Sequence, residues 1–386
     1  MPAPAAALRS LLTPAVLLRL VLGWGAVAAL SSPALAALPS LPASALAGLL
    51  AEIIAVIVLC AFGVVHQAEH LAHRLGDPYG SLVLTLSIVL IEVVLIVAVM
   101  LGPGEHATIA RDSVTAVAMI IMNLVIGLCL VAGGIRHGAL AHRRAGTSAY
   151  LAMILVLGAL GLAAPTVLGT AGSLGTGQGV AVLVLTAGTY AVFLARQMGP
   201  QSGDFREATG TGSAASAPGP GPGGGSGVGA VLREHRGEVL GRLALLVAAV
   251  LPIVLLSHDM AAMLEDGLTR LGARPALAGL VIAMIVFLPE SITAVRAALA
   301  GQMQRAVNLC HGALVSTVGL TVPAVLGIGM LTGQRVVLGE SAENLMLLGI
   351  TLMLSAVTFS SRTVGAIHGT AHLAVFALYV LALTTG

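Results

Sequence analysis

Two carboxylates in this chain stand where a carboxylate is costly. Glu92 lies inside LVLTLSIVLIEVVLIVAVML (82–101), and Glu290 lies inside the apolar run 276–299. On insertion scales a charged side chain near the bilayer centre costs at least about 2.5–3.5 kcal/mol, so an intramembrane acid is first of all a functional hypothesis. The competing reading is a neutral Glu that hydrogen-bonds a neighbouring helix and contributes only packing. Two facing carboxylates in a medium of low dielectric cannot both stay ionised without a cation beside them, so protons and cations compete for the pair. Exposed alternately to the two sides of a membrane, such a pair would trade one for the other.

The surrounding residues suit oxygen coordination. Pro289 has no amide N–H, which frees the carbonyl four residues back, at Ile285, for an ion or water. Thr85, Ser87, Ser291 and Thr293 fall within two turns of the acids, and the following apolar runs add Asn123 in one case and Asn308, His311, Ser316 and Thr317 in the other. Each Ser or Thr taken singly also reads as a helix-packing residue, whereas Asn123 is the one polar side chain in MIIMNLVIGLCL. Hard oxygen donors favour Ca²⁺, Na⁺ or Mg²⁺ over soft metals, and Glu92 and Glu290 are the expected metal ligands.

Other titratable groups stand nearby. Glu69 and Glu265 precede the two acid-bearing runs; they are either gating or proton-entry carboxylates or interfacial partners of Arg74 and Arg270. Glu52 sits inside another apolar run, as a proton-path acid or a neutral one tied to a neighbour. His66, His70 and His73 share a helical face with Glu69, which fits a transition-metal site, a sensor of pH, or a solvated interfacial helix. His311, beside the proposed cavity, is the better candidate for handling protons.

The elements that must hold these residues follow from composition. With 386 residues, 58% of them apolar and 9% charged, and a mean hydropathy of +1.03, the chain is an integral membrane protein. A net charge of +2 carried by dispersed arginines gives no nucleic-acid footprint, and Cys60, Cys129 and Cys310 lack disulfide or zinc spacing. Eleven stretches meet or approach the length of about 20 residues that a bilayer requires: 11–31, 43–65, 80–101, 112–133, 148–168, 177–195, 239–257, 276–299, 306–330, 341–358 and 364–383. The first also resembles a secretory signal peptide, with Arg9 before it and SSPALA after it, although Pro14 and Arg19 interrupt it. Arginines cluster on the side holding the N-terminus, so the positive-inside rule puts that end in the cytoplasm and the C-terminus outside.

A flexible Gly/Pro/Ser-rich cytoplasmic linker is expected at 199–238, including GTGSAASAPGPGPGGGSGVG. It separates a tail and leading helix (1–42) and a first five-helix unit (43–198) from a second (239–386). Each unit carries the pattern E-x-x-x-x-R-L-G, as EHLAHRLG from Glu69 and EDGLTRLG from Glu265, ahead of its buried acid. Units with an odd number of helices enter the membrane in opposite directions, and inverted repeats place a binding site near the midplane where they meet.

AEHLAHRLGDPYGSLVLTLSIVLIEV (68–93), LPESITAVRAA (288–298) and GALVSTVGLTVPAVLG (312–327) together resemble the Ca²⁺/cation antiporter superfamily, in particular its bacterial Ca²⁺/H⁺ and Na⁺/H⁺ antiporter branch. The resemblance implies an all-α polytopic protein with ten core helices in two inverted repeats, a leading helix and a central loop. It implies that Glu92 and Glu290 bind the transported cation and exchange it for protons, with Asn123 and Ser316 lining the same cavity. Departures bear on ion identity: Val89, Leu90 and Ile91 replace the usual Gly-Asn-Ala, Phe287, Leu288 and Pro289 precede the second acid, and Ser291 stands where a His often follows it. Ca²⁺ is the first expectation and Na⁺ or K⁺ the alternatives, in a bacterial cytoplasmic membrane, with no cofactor beyond cation and proton and with a homo-oligomer compatible. The other classes are a channel without proton coupling and an intramembrane enzyme; the enzyme is disfavoured by the absence of HExxH or a paired transmembrane Asp motif.

Overall fold

The computed structural model describes residues 13–31, 42–75, 86, 89–90, 92–94, 96–97, 100, 107–205, 236–272 and 276–385. Among them the helices are α1 (Pro14–Leu30), α2 (Ala43–Leu75), α3 (Ile109–His137), α4 (Arg144–Leu168), α5 (Thr176–Met198), α6 (Arg236–Arg270), α7 (Ala276–Leu299), α8 (Met303–Thr332), α9 (Ala342–Thr358) and α10 (Ala366–Thr385). The described residues around Glu92 are helical as well. Eight of the helices are long and apolar enough to cross a membrane, while α1 and α9 are shorter apolar helices. Two short strands, β1 (Leu140–Ala141) and β2 (Thr363–Val364), pair antiparallel at one end of the bundle.

Helix starts follow from local chemistry. Pro14 opens α1, where its missing N–H is no loss, and the Thr13 side chain accepts from the Val16 amide. The Ser341 hydroxyl likewise caps α9 by accepting from the Asn344 amide at 3.2 Å. Two helices run far beyond their expected spans. α2 continues through HQAEHLAHRL to Leu75, and α6 begins at Arg236 and continues past residue 257 to Arg270. Hydropathy marks where the hydrocarbon ends, but neither extension contains a proline or a capping signal, so the backbone stays helical beyond it. Glu69 and Glu265 therefore belong to the last turns of α2 and α6 rather than to separate polar segments.

The expected linker also narrows. Ser202–Phe205 forms a 3₁₀ turn, and the Phe205 ring packs on Tyr150 and Phe193 at 5.1 and 6.0 Å between centroids, while residues from Arg236 on are helical. The Gly/Pro-rich remainder, 206–235, lies outside the described residues.

Burial separates centre from periphery. In α3, 83% of the membrane-length window is buried, against 61% in α8 and 56% in α7; the other candidate spans fall between 22% and 33%. The outer helices present Val167, Val184, Val192 and Met353 to the surroundings, as a lipid-facing surface requires. α3 meets α10 backbone to backbone, since a Cβ on Gly369 would lie 2.6 Å from the Gly127 carbonyl oxygen.

Outside this centre α2 packs along α6, and α1 lies across both. Pro252 interrupts α6 and cannot donate to the Ala248 carbonyl; the Trp24 indole of α1 donates there at 3.1 Å instead. Gly23 lets α1 come this close, since a Cβ there would stand 3.0 Å from the Cys60 sulfur and 3.1 Å from the Pro252 ring.

Candidate ion-binding site

Glu92 and Glu290 come together inside this bundle. They are 3% and 8% exposed, and they are near enough for their charges to interact. The Thr317 hydroxyl, from the centre of α8, donates to Glu92 Oε2 at 2.5 Å. Glu92 Oε1 and Glu290 Oε2 are buried with no hydrogen-bond partner among the described residues. Glu290 faces a small cavity, with room for little more than a water molecule, between α3, α7 and α8, and its lining of Ile121, Val125, Phe287, Leu309 and Ala313 is apolar apart from Ser291 and Cys310. Two unsatisfied carboxylate oxygens in a largely apolar setting form a hard oxygen donor set, which suits a divalent cation or a pair of monovalent ones when both acids are ionised and protons when they are not.

The other expected ligands have mixed placements. Ser291 Oγ donates to the Phe287 carbonyl at 2.7 Å and Thr293 Oγ1 to the Pro289 carbonyl at 2.9 Å, so both hydroxyl protons turn back onto α7 while an oxygen lone pair stays available. Pro289 is buried inside α7, which leaves the Ile285 carbonyl without its usual donor. Ser316 accepts from the Tyr190 hydroxyl at 3.0 Å. That bond exists because Gly319, one turn on, admits the ring: a Cβ there would lie 2.6 Å from Tyr190 Cγ.

Asn123 is fully buried, but its polar atoms turn to α9 and α10 rather than to the glutamates. Nδ2 donates to Thr351 Oγ1 at 2.8 Å, and Oδ1 lies 3.2 Å from His372 Nδ1. His311 is fully buried beside the Tyr150 and Phe359 rings, and neither ring nitrogen has a partner among the described residues. Asn308 accepts from Gln304 and donates to the Phe205 carbonyl, at the end of the bundle.

Glu52 is exposed on α2. The side chains of Glu69 and Glu265, and residues Thr85 and Ser87, lie outside the described residues. Arg270 reaches Asp266 one turn back at 2.7 Å. The His66 and His70 rings meet edge to face at 4.6 Å, and no group of three metal-ligating side chains occurs among the described residues.

Sequence reasoning passed over three buried residues. Glu340 belongs to the polar loop QRVVLGESAEN and interrupts no apolar run; His372 and Thr351 do stand inside apolar runs and were open to the same argument as Asn123.

The model of the sodium/calcium exchanger protein family matches residues 45–199 and 242–385. The chain belongs to that family. The family is one of ion exchangers, and this chain is accordingly a membrane transporter of cations. Over 379 residues it is 31% identical to the sodium-potassium/proton antiporter ChaA of Escherichia coli, covering 97% of this chain and 95% of that one. It is 33% identical over 324 residues to the ionic transporter y4hA of Sinorhizobium fredii, covering 83% and 84%. Among solved structures the fold matches native YfkE with a TM-score of 0.67 at 16% identity, over 95% of this chain and 99% of that one. It also matches the H⁺/Ca²⁺ exchanger CAX with a TM-score of 0.63 at 14% identity, over 95% and 87%. The exchanger fold thus frames the glutamate pair.

Proposed function

We propose that this chain exchanges cytoplasmic cations for external protons by alternating access at Glu92 and Glu290, with Ca²⁺ as the first cation. The observation that carries the reading is the unmet bonding capacity of the pair: each glutamate keeps a buried oxygen without a partner, and Thr317 holds the opposite oxygen of Glu92. Such oxygens are stabilised either by a cation that bridges them or by protons that neutralise them, and the two occupancies exclude each other. In this reading the chain has eleven spans, with a leading helix before two inverted five-helix repeats, in a bacterial cytoplasmic membrane with the N-terminus inside. His311 and the acids Glu69, Glu265 and Glu52 are the candidates for a proton path or gate.

Na⁺ or K⁺ in place of Ca²⁺ is the second reading, favoured by the full-length likeness to a sodium-potassium/proton antiporter. The test is flux into inverted vesicles with Ca²⁺, Na⁺, K⁺ and Mg²⁺ measured side by side under an imposed pH gradient. Uptake of one cation that follows the gradient and collapses with it is expected. Uptake indifferent to the gradient would exclude antiport and point to a channel.

A further inference from the structure

α3 does not cross the bundle as a regular helix: Ile120–Val125 is a π turn, one residue wider than the α-helical turns on either side. A π turn is rare and weakens the regular ladder, so it persists where neighbouring contacts hold it. Here the contacts are explicit. Asn123, in the middle of the turn, bonds Thr351 of α9 through Nδ2 and faces His372 of α10 through Oδ1. An amide oxygen carries no proton, so His372 Nδ1 must donate; in the neutral ring Nε2 then accepts, and its partner at 3.2 Å is the Thr358 hydroxyl. Thr351 and Thr358 stand two turns apart on one face of α9, and all four side chains are fully buried. The close approach of Gly127 and Gly369 brings α10 within this reach.

The opposite face of the same turn belongs to the ion site. Ile121 and Val125, two residues before and after Asn123, line the cavity at Glu290 together with Cys310 and Ala313. One short piece of backbone therefore carries a hydrogen-bonded anchor on one side and the wall beside a candidate ion ligand on the other.

We infer that His372 is a positioning residue for the ion site: by donating to Asn123 it fixes the π turn of α3 and with it the cavity wall that Ile121 and Val125 form beside Glu290. His372 touches no transported ion. Its effect on transport rests on the glutamate-pair reading, whereas its effect on the cavity wall does not.

Three substitutions separate the two ring nitrogens. His372→Asn keeps an N–H close to the position of Nδ1, His372→Gln keeps a polar group close to that of Nε2, and His372→Leu keeps neither. Two readouts apply to the full-length chain in vesicles: the KM and maximal rate of cation exchange, and the rate at which N-ethylmaleimide modifies Cys310, followed by peptide mass spectrometry. The expected result is that His372→Leu and His372→Gln raise KM about tenfold with a much smaller change in maximal rate, the scale of one lost interhelical hydrogen bond. Both should also speed Cys310 modification several-fold, while His372→Asn stays near wild type in both readouts. Unchanged Cys310 modification in His372→Leu, or a His372→Asn variant as impaired as His372→Leu, would overturn the inference. If Glu92→Gln and Glu290→Gln retained full exchange, the glutamate reading would fall, yet Cys310 modification would still decide whether His372 holds the wall.

Discussion

Glu92 and Glu290 at the middle of the bundle contrast with Glu340 at one end. All three are buried, at 3%, 8% and 3% exposure. Glu340, however, has donors on both of its oxygens. Its Oε1 accepts from the Ser341 amide and from Asn344 Nδ2, both at 2.9 Å, and its Oε2 accepts from Thr115 at 2.6 Å. Arg111 stands 3.8 Å from Oε1, reaches the Gly339 carbonyl at 3.1 Å and pairs with Asp112 at 2.8 Å. A buried carboxylate with donors on both oxygens and a guanidinium beside it offers little to a mobile ion, and it ties the loop before α9 to the start of α3. Carboxylates that keep an unpartnered oxygen are suited to a ligand that comes and goes. Burial alone therefore does not distinguish an ion site from a latch; the remaining bonding capacity does.

The largest expected effect tests the first half of that contrast: Glu92→Gln and Glu290→Gln should each lower exchange by about 100-fold or more, with the folded fraction in size-exclusion chromatography unchanged. Full flux in either variant would remove that acid from the site. Glu340→Ala should act on stability instead, costing about 3 kcal/mol because Thr115, Asn344 and Arg111 lose their acceptor, while flux per folded molecule holds. A Glu340 variant that melts normally but does not transport would erase the distinction between latch and site. Thr317→Val is expected to shift cation KM by about fivefold, since it leaves Glu92 Oε2 without its donor. Smallest is Tyr190→Phe, with a loss of about 1 kcal/mol in thermal stability and no change in KM. A clear KM shift there would bring Ser316 into the coordination shell.

The membrane class, eight of the eleven expected spans and the burial of the two central acids were legible because each rests on local composition: a lone Glu in an apolar run needs no partner to be noticed. The full lengths of α2 and α6 were not legible from hydropathy, since the window that measures solvent preference is blind to helix propensity in HQAEHLAHRL. Asn123 stood out as polar, but which way its amide turns depends on α9 and α10, more than 220 residues away. The π turns of α3 and α4 leave no composition signal in IIMNLV or ALGLA. Glu340 was hidden for the opposite reason, because polar neighbours made it look solvated until the fold buried it.

The bond from Trp24 to the Ala248 carbonyl spans 224 residues of sequence. A ribosome releases α1 well before α6, yet its acceptor does not exist until α6 has been made, and Pro252 is what leaves that acceptor open. A helix synthesised before α6 is thus fastened by it, and α1 can complete its packing only after α6 has arrived in the membrane.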